Sequence, residues 1–553
     1  MDAAASAAAA AGRPADVVTS SARRAAYERA GHWNGDTLAA RVAEHARTVP
    51  HADAVVDLVG ARTVSYAQLD ADANRLANFL IGAGVKPGDV VSVQMPNWYE
   101  TVVIDLGVMR AGAVMNPLLP NYRGKELRHM LGVGGVRVYF CPVAYRNFDH
   151  AGLAAELRAE MADLEHVVAV ADPAEETDRF YQWLRQNSAD PPTLEVPAAA
   201  VSELIFTSGT EAEPKAIMHT EQNTNFSARA VASSLGLGSG DVVWMPSPIG
   251  HSTGFNYGVR PALYLGLPLV LQDQWSPADA ARLVESQRCS YTIAATTFVS
   301  DICEHAAANA VDLSSMRLFG SGGSPIPPEI VNAAAVLGMN VLRLYGSTEL
   351  LMATTNRPGD PEEKLMETDG RALDDVEVAV RDEAGRELVG EPGEIFVRGP
   401  NTCVGFFNDP QRTSATFLAD GWVRSGDLGI LDEEGFLTIV GRKKEIIIRG
   451  GLNIAPREIE ELILLHPAVA EAAVVGLPHP RLGEATCAAV VLREGQSLDL
   501  ADLVAFLRQQ GMATYKLPQR LELLAALPRT LTGKVQKFEI VKGLEGETRN
   551  GGA

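Results

Sequence analysis

Cysteine is scarce: Cys141, Cys289, Cys303, Cys403 and Cys487 are the only five thiols in 553 residues. They are scattered, odd in number and without metal-ligand spacing. This excludes a disulfide framework and a structural zinc, and it predicts a reducing, cytoplasmic setting. Positive charge is also in deficit, with a formal net charge of −21. Nucleic-acid binders carry a basic excess, so no nucleic-acid partner is expected, and any anionic ligand needs a locally basic site. No run of 18 strongly apolar residues occurs, so no transmembrane span is predicted. The opening stretch MDAAASAAAAAGRPADVVTSSARR begins on Asp2 rather than a basic segment, which argues against a signal peptide. Its composition predicts a disordered tail over residues 1–30. No repeat with a period of 20–50 residues is seen.

What remains is ordinary globular material, 46% hydrophobic and 21% charged, long enough for two to four domains. DLVGARTVSY predicts a hairpin around Gly60, and Ser65 with Gln68 forms a capping-box pattern. The helix that follows places Leu69, Ala73, Leu76, Ala77 and Leu80 on one face. It ends near Gly82 and Gly84, and Val90 to Val93 reads as a buried strand. Similar strand–helix units recur up to about residue 350, which predicts an α/β class with mainly parallel sheets. After residue 370, VEVAVRDEAGRELVGEPGEIFVRGPN alternates and predicts a small β-rich subdomain. The chain turns polar and basic at VGRKKE, Val440 to Glu445. A large unit over 31–440 and a small mobile α+β unit over 441–553 are expected, with a helix starting near Pro456.

Several stretches are suited to phosphate and nucleotide chemistry. Thr207, Ser208, Gly209 and Thr210 follow a strand-like ELIF, and Lys215 lies close behind. Three hydroxyls, a glycine and a cation suit a backbone nest for phosphate oxygens. The spacing is not that of a Walker A loop, which needs GxxxxGK[ST] before a helix. GSGGSPIPP, Gly320 to Pro328, permits close approach of backbone to a flat ligand. LYGSTEL offers the aromatic face of Tyr345, the hydroxyl of Thr348 and, in Glu349, a carboxylate able to hold Mg²⁺. Asp427 lies in VRSGDLG, suited to a ribose diol, and Lys534 follows Thr532 and Gly533. Each stretch alone also reads as an ordinary turn.

In this order, TSGT…PK, YGSTE, SGDLG, GRKKE…EIE and TGK resemble the adenylate-forming superfamily. It includes acyl-CoA synthetases, peptide-synthetase adenylation domains and beetle luciferases. The resemblance runs from about Thr37 to Lys537 and is nearest to acyl-CoA ligases. It implies two half-reactions: a carboxylic acid attacks Mg·ATP to give an acyl-adenylate, then coenzyme A attacks the acyl carbon and AMP leaves. It also implies roles. Lys534 binds the carboxylate and α-phosphate, Thr348 binds phosphate, and Glu349 binds Mg²⁺. Asp427 and Arg442 hold the ribose, and Tyr345 packs on adenine beside Ser324 and Pro325. Lys444 matches the family hinge, about which rotation withdraws Lys534 and brings in Arg449, Gly450 and Gly451 to line a pantetheine tunnel. His251, Phe255, Gly322 and Gly323 fall in the acyl pocket. No Asp occurs from Ser247 to Tyr257, which disfavours an amino-acid substrate. Gly254, Gly322 and Gly323 are expected to leave room for a bulky apolar, alicyclic, aromatic or terpenoid-like acid, with a simple fatty acid as the alternative.

The chain departs from the family pattern TSGTTGxPKG at Glu211, Ala212 and Ala216, and Glu213 adds a second carboxylate to the loop. An anion about 4 Å from a phosphate, at an effective dielectric near 20, is repelled by roughly 4 kcal/mol. Lost glycines remove conformations with φ > 0. Both predict weakened adenylation with thioester formation spared, since the second step needs neither the β- nor the γ-phosphate. A two-step ligase with a variant loop, a thioesterification-only ligase using preformed acyl-adenylate, an enzyme loading a carrier protein and a non-catalytic binding module remain alternatives. Monomer and homodimer are equally compatible with the sequence.

Overall fold

Continuous apolar runs become central parallel strands. Val90–Val93 and Val138–Pro142 are buried along their whole length, as strands covered on both faces must be. The computed structural model describes residues 19–174, 179–207, 214–323, 326, 328–450, 452–529 and 534–550, with side chains to 544.

Two sheets carry most of the chain. The first has nine strands and the second seven. In the first, parallel pairing runs from Asp53–Asp57 through Leu269–Leu271, Val243–Met245, Tyr291–Ile293 and Leu318–Gly322 to Asn340–Ser347. In the second, His166–Val170, Val138–Pro142, Val90–Val93, Val114–Pro117 and Val201–Phe206 pair in parallel. Helices Tyr99–Arg110 and Glu221–Leu235 are buried on nearly every side, because each contacts strands of both sheets. The sandwiched layer holds an ion cluster. Arg260, without solvent exposure, bonds Glu203, Glu221, Asn225 and Asn256.

The hairpin around Gly60 forms between Asp53–Asp57 and Arg62–Ser65. Helix Tyr66–Gly82 follows, and the Ser65 side chain accepts from the Gln68 N–H. The reciprocal half of the capping box is replaced, since Gln68 Nε2 donates to Asp72 at 2.8 Å. A third, antiparallel sheet of five strands spans Glu377–Arg381 to Leu437–Arg442. Beyond it, Val469–His479 and Gly483–Leu492 form the centre of a separate sheet. Its two faces pack Ile447, Ile459, Val474 and Leu503 on one side and Val475, Leu527, Ile540 and Leu544 on the other. The helix expected near Pro456 is Pro456–Leu464.

The tail expected over 1–30 does not reach residue 30. Ser21–Arg29 is helical, capped by Ser20. Alanine and arginine favour helix here, and Tyr27 docks edge-on to Trp33 at 4.9 Å. Among the described residues no helix is long and apolar enough to cross a membrane.

Candidate active site

Strand Asn340–Ser347 delivers Tyr345 to the end of the first sheet. Its hydroxyl donates to Asp427 Oδ2 at 2.8 Å. Asp427 lies on Val423–Leu431, directly opposite Arg442 on the neighbouring strand. The Arg442 Nε is 3.2 Å from Asp427 Oδ1. Burial raises the Asp427 carboxyl pKa, and the Arg442 charge and the Tyr345 hydroxyl oppose that rise. Burial, reinforced by the Asp427 charge, holds the Tyr345 phenol well above its ordinary value.

Lys534 enters this group from the C-terminal region. Its charge acts on Asp427 and on His251, and Glu349 acts on it in turn. A Cβ built on Gly323 would lie 3.6 Å from Lys534 Cε. Its surface keeps solvent contact. The protein wall around it, and then the Arg442 charge, nevertheless hold its ammonium below the ordinary lysine range. Thr348 and Glu349, both partly exposed, follow the same strand as Tyr345. Among the described residues no group of three or more His, Cys, Asp or Glu side chains is arranged to hold a metal. Glu349 alone fits an ion such as Mg²⁺, which keeps water and phosphate as its other ligands.

His251 caps a short turn, accepting from the Thr253 N–H at 3.2 Å. Burial and then the Lys534 charge lower its pKa to about 4. It is therefore neutral at neutral pH. Phe255 opens a π-helical turn, Phe255–Val259, and is buried with the Arg260 guanidinium 5.2 Å from its ring centre.

The glycines expected to open the acyl pocket do not all do so. A Cβ on Gly254 would lie 2.1 Å from the Pro248 carbonyl oxygen, and one on Gly322 would lie 2.4 Å from the Leu344 carbonyl oxygen. Backbone already fills both spaces. Gly323 has φ +81, with only Lys534 near the added atom.

Thr207 donates its N–H to the Lys215 carbonyl at 3.0 Å, closing the neck of the loop expected to hold phosphate. The Lys215 charge acts on Asp409. Ser208, Gly209, Thr210, Glu211, Ala212, Glu213, Ser324, Pro325 and Gly451 lie outside the described residues. Ala216 lies in the regular strand Ala216–Thr220, paired with Phe206, and has no positive φ. The expected loss of left-handed backbone therefore does not apply at Ala216.

Lys444 is exposed in a 3-10 turn, Lys443–Glu445. Lys537 bonds Glu445 at 3.0 Å and Glu460 at 2.8 Å. Arg449 Nη1 donates to the Tyr515 carbonyl at 2.6 Å, and the Gly450 N–H donates to the Leu482 carbonyl at 2.7 Å. Arg449 and Gly450 are thus held by C-terminal partners, while Lys534 reaches the Tyr345–Asp427–Arg442 group.

Sequence reasoning passed over His219, Asn223 and Asn401. His219 Nε2 lies 2.8 Å from the Thr348 carbonyl oxygen. Its available signal was a histidine inside an otherwise apolar strand, just before the Thr220-x-x-Asn223 cap.

Residues 42–407 match the AMP-binding enzyme family, and residues 458–534 match the AMP-binding enzyme C-terminal domain. A medium-chain fatty-acid–CoA ligase of Escherichia coli strain K12 is 38% identical over 94% of this chain and 93% of its own. A 2-hydroxy-7-methoxy-5-methyl-1-naphthoate–CoA ligase of Streptomyces carzinostaticus is 34% identical over 93% and 94%. ATP-bound MatB from Rhodopseudomonas palustris superposes with a TM-score of 0.84 at 29% identity, covering 92% of this chain and 99% of its own. The same protein without ligand, at 30% identity and the same coverage, gives 0.73.

Proposed function

The chain belongs to the AMP-binding enzyme family and is an acid–thiol ligase, and we propose that it converts an apolar carboxylic acid to its CoA thioester through an acyl-adenylate. The convergence of Lys534 with Tyr345, Asp427, Arg442 and Glu349 carries this reading. In the first step a carboxylate oxygen attacks the α-phosphorus of ATP, forming the acyl–phosphate bond and releasing pyrophosphate. Lys534 neutralises charge on the two approaching anions, a role worth most where water is thin. Thr348 holds phosphate. Glu349 would hold Mg²⁺, which supplies charge neutralisation on the phosphates when bound. The Asp427 carboxylate accepts from the ribose hydroxyls, Arg442 fixes Asp427, and Tyr345 forms a wall for adenine along with Ser324 and Pro325. In the second step the CoA thiol loses its proton, its sulfur attacks the acyl carbon, and AMP leaves.

Residues 31–440 form the adenylate- and acyl-binding unit, and 441–553 form the alternating unit with its hinge near Lys444. Rotation replaces Lys534 by Arg449, Gly450 and Gly451 beside the thiol. The greater likeness to ATP-bound than to unliganded MatB supports reading the present arrangement as the adenylating one. The fatty-acid and naphthoate activities of the relatives support apolar acids, with a bulky ring acid and a fatty chain both within reach. Five unpaired thiols support a cytoplasmic location.

A second reading is favoured by the sequence of the loop, in which Glu211 and Glu213 add negative charge and Ala212 stands where the family pattern has glycine: thioesterification outpaces adenylation. A split assay separates the two. Acid, Mg·ATP and CoA go in one tube, and synthetic acyl-adenylate and CoA in another. The two-step reading expects turnover in both. Turnover only in the second supports the loop effect, and E211T with A212G should then restore the first, while A216G adds nothing. Silence in both tubes across fatty and aryl acids would overturn the ligase assignment.

A further inference from the structure

Strand Ala216–Thr220 leads out of the phosphate loop and carries His219, which has no solvent exposure. Asn223 Nδ2 lies 2.7 Å from His219 Nδ1. The Asn223 amide is oriented by its own oxygen, which accepts from the Thr220 N–H at 2.7 Å and the Thr220 hydroxyl at 3.1 Å. An amide nitrogen only donates, so Nδ1 is an acceptor and the ring proton sits on Nε2. Nε2 then donates to the Thr348 carbonyl at 2.8 Å.

The following carbonyls are held as firmly. Glu349 O accepts from the Cys403 N–H at 2.8 Å. Asn401 Nδ2 donates to Leu350 O at 2.7 Å and to Met352 O at 3.0 Å. Asn223 also reaches Asn401 O at 3.3 Å, joining the two donor segments. Between these bonds Leu351 has φ +51, a backbone state that a γ-branched residue rarely adopts. A turn of this kind persists only when its surroundings over-determine it.

We propose that His219 is a positioning residue: it ties the hairpin of Val201–Phe206 and Ala216–Thr220 to the Thr348–Met352 turn, so that the Glu349 carboxylate and this hairpin keep a fixed relation. This rests on reading Glu349 as the Mg²⁺ carboxylate. In the first half-reaction the correct placement of that carboxylate matters. In the second, with pyrophosphate gone, it matters less.

Three substitutions test the assignment. H219L removes the donor. H219Q returns an N–H at a similar reach. N223D presents an acceptor to Nδ1, draws the ring proton there and leaves Nε2 facing the Thr348 carbonyl without one. H219L and N223D are expected to raise KM for Mg·ATP about tenfold, with KM for the acid and the rate from preformed acyl-adenylate changed less than about threefold. H219Q should recover most of that loss. Equal losses in both half-reactions, or an H219Q variant no better than H219L, would overturn the proposal. Amide hydrogen exchange over residues 348–352, measured without substrates, gives an independent reading. It should accelerate in H219L and N223D and stay near the parent in H219Q, and unchanged exchange in H219L would equally overturn it. That measurement stands even where the parent protein shows no ligase turnover, an outcome that strikes the ligase assignment alone.

Discussion

The two walls of the site are held in different ways. Tyr345 and Asp427 bond each other from two different sheets, both within residues 31–440, and Arg442 pairs with Asp427 from the neighbouring strand, two residues before Lys444. Lys534 comes from the C-terminal domain. Other links between the domains include Arg457 to Asp369 at 3.7 Å and Lys443 to Glu394 at 3.1 Å. The Tyr345–Asp427 pair is therefore preorganised within one domain, while the cation is delivered by the other. Chemistry that needs the cation in only one of two steps is suited by that division.

The largest effect is expected in the layer between the two large sheets. R260A leaves Glu203 and Glu221 buried without their cation. It should destabilise the fold by about 3–5 kcal/mol, read by denaturant unfolding. R260M, which keeps volume but not charge, should do no better, because both carboxylates remain. On the delivered side, K534A should lower the rate of adenylate formation by about 10²–10³ while leaving thioester formation from synthetic acyl-adenylate within a few-fold. Equal loss in both steps would mean that Lys534 belongs to the fixed wall after all.

Smaller effects sharpen the comparison. The Arg457–Asp369 pair spans the domains, so R457A should shift the balance away from the present arrangement by about 1 kcal/mol, roughly fivefold. Adenylation should fall and thioester formation should hold or rise. The smallest effect separates two histidines. Burial is the main cause that lowers both His219 and His251 to about 4, but only His251 also feels Lys534. Removing that positive charge makes protonation easier, so K534A should raise the His251 pKa, observed by NMR, and leave His219 in place. Both histidines are neutral in the fold. They contribute stability above their unfolded pKa near 6.5, and that contribution is lost as pH falls through about 4.

Local structure was largely legible. Ser65 announced its helix, and the apolar runs announced their strands, because those signals are set by neighbours in sequence. The long-range pairings were not. Tyr345 and Asp427 are 82 residues apart, and Arg260 gathers four partners from three segments. Nothing near Arg260 in sequence marks it as buried. Glycine was misread for a different reason. A missing Cβ signals either an open space or another chain pressed close, and Gly254 and Gly322 are the second case. Residues 21–29 looked like tail because composition hides a single aromatic anchor, and Tyr27 is that anchor. The residues proposed for the nucleotide were assigned through the resemblance. His219 was missed because a buried imidazole in a strand looks like packing until its two ring nitrogens are given partners.

The scarce cysteines have a practical consequence. All five are buried. Burial pushes Cys141, Cys289 and Cys487 to about 12 and Cys303 to about 11, and Cys403 further still. Maleimides react with exposed thiolates, so the natural chain offers such reagents almost nothing. A cysteine placed on each side of Lys444 would then be the pair that takes dye, and the distance between the two dyes would test the proposed rotation through a catalytic cycle without removal of any native residue.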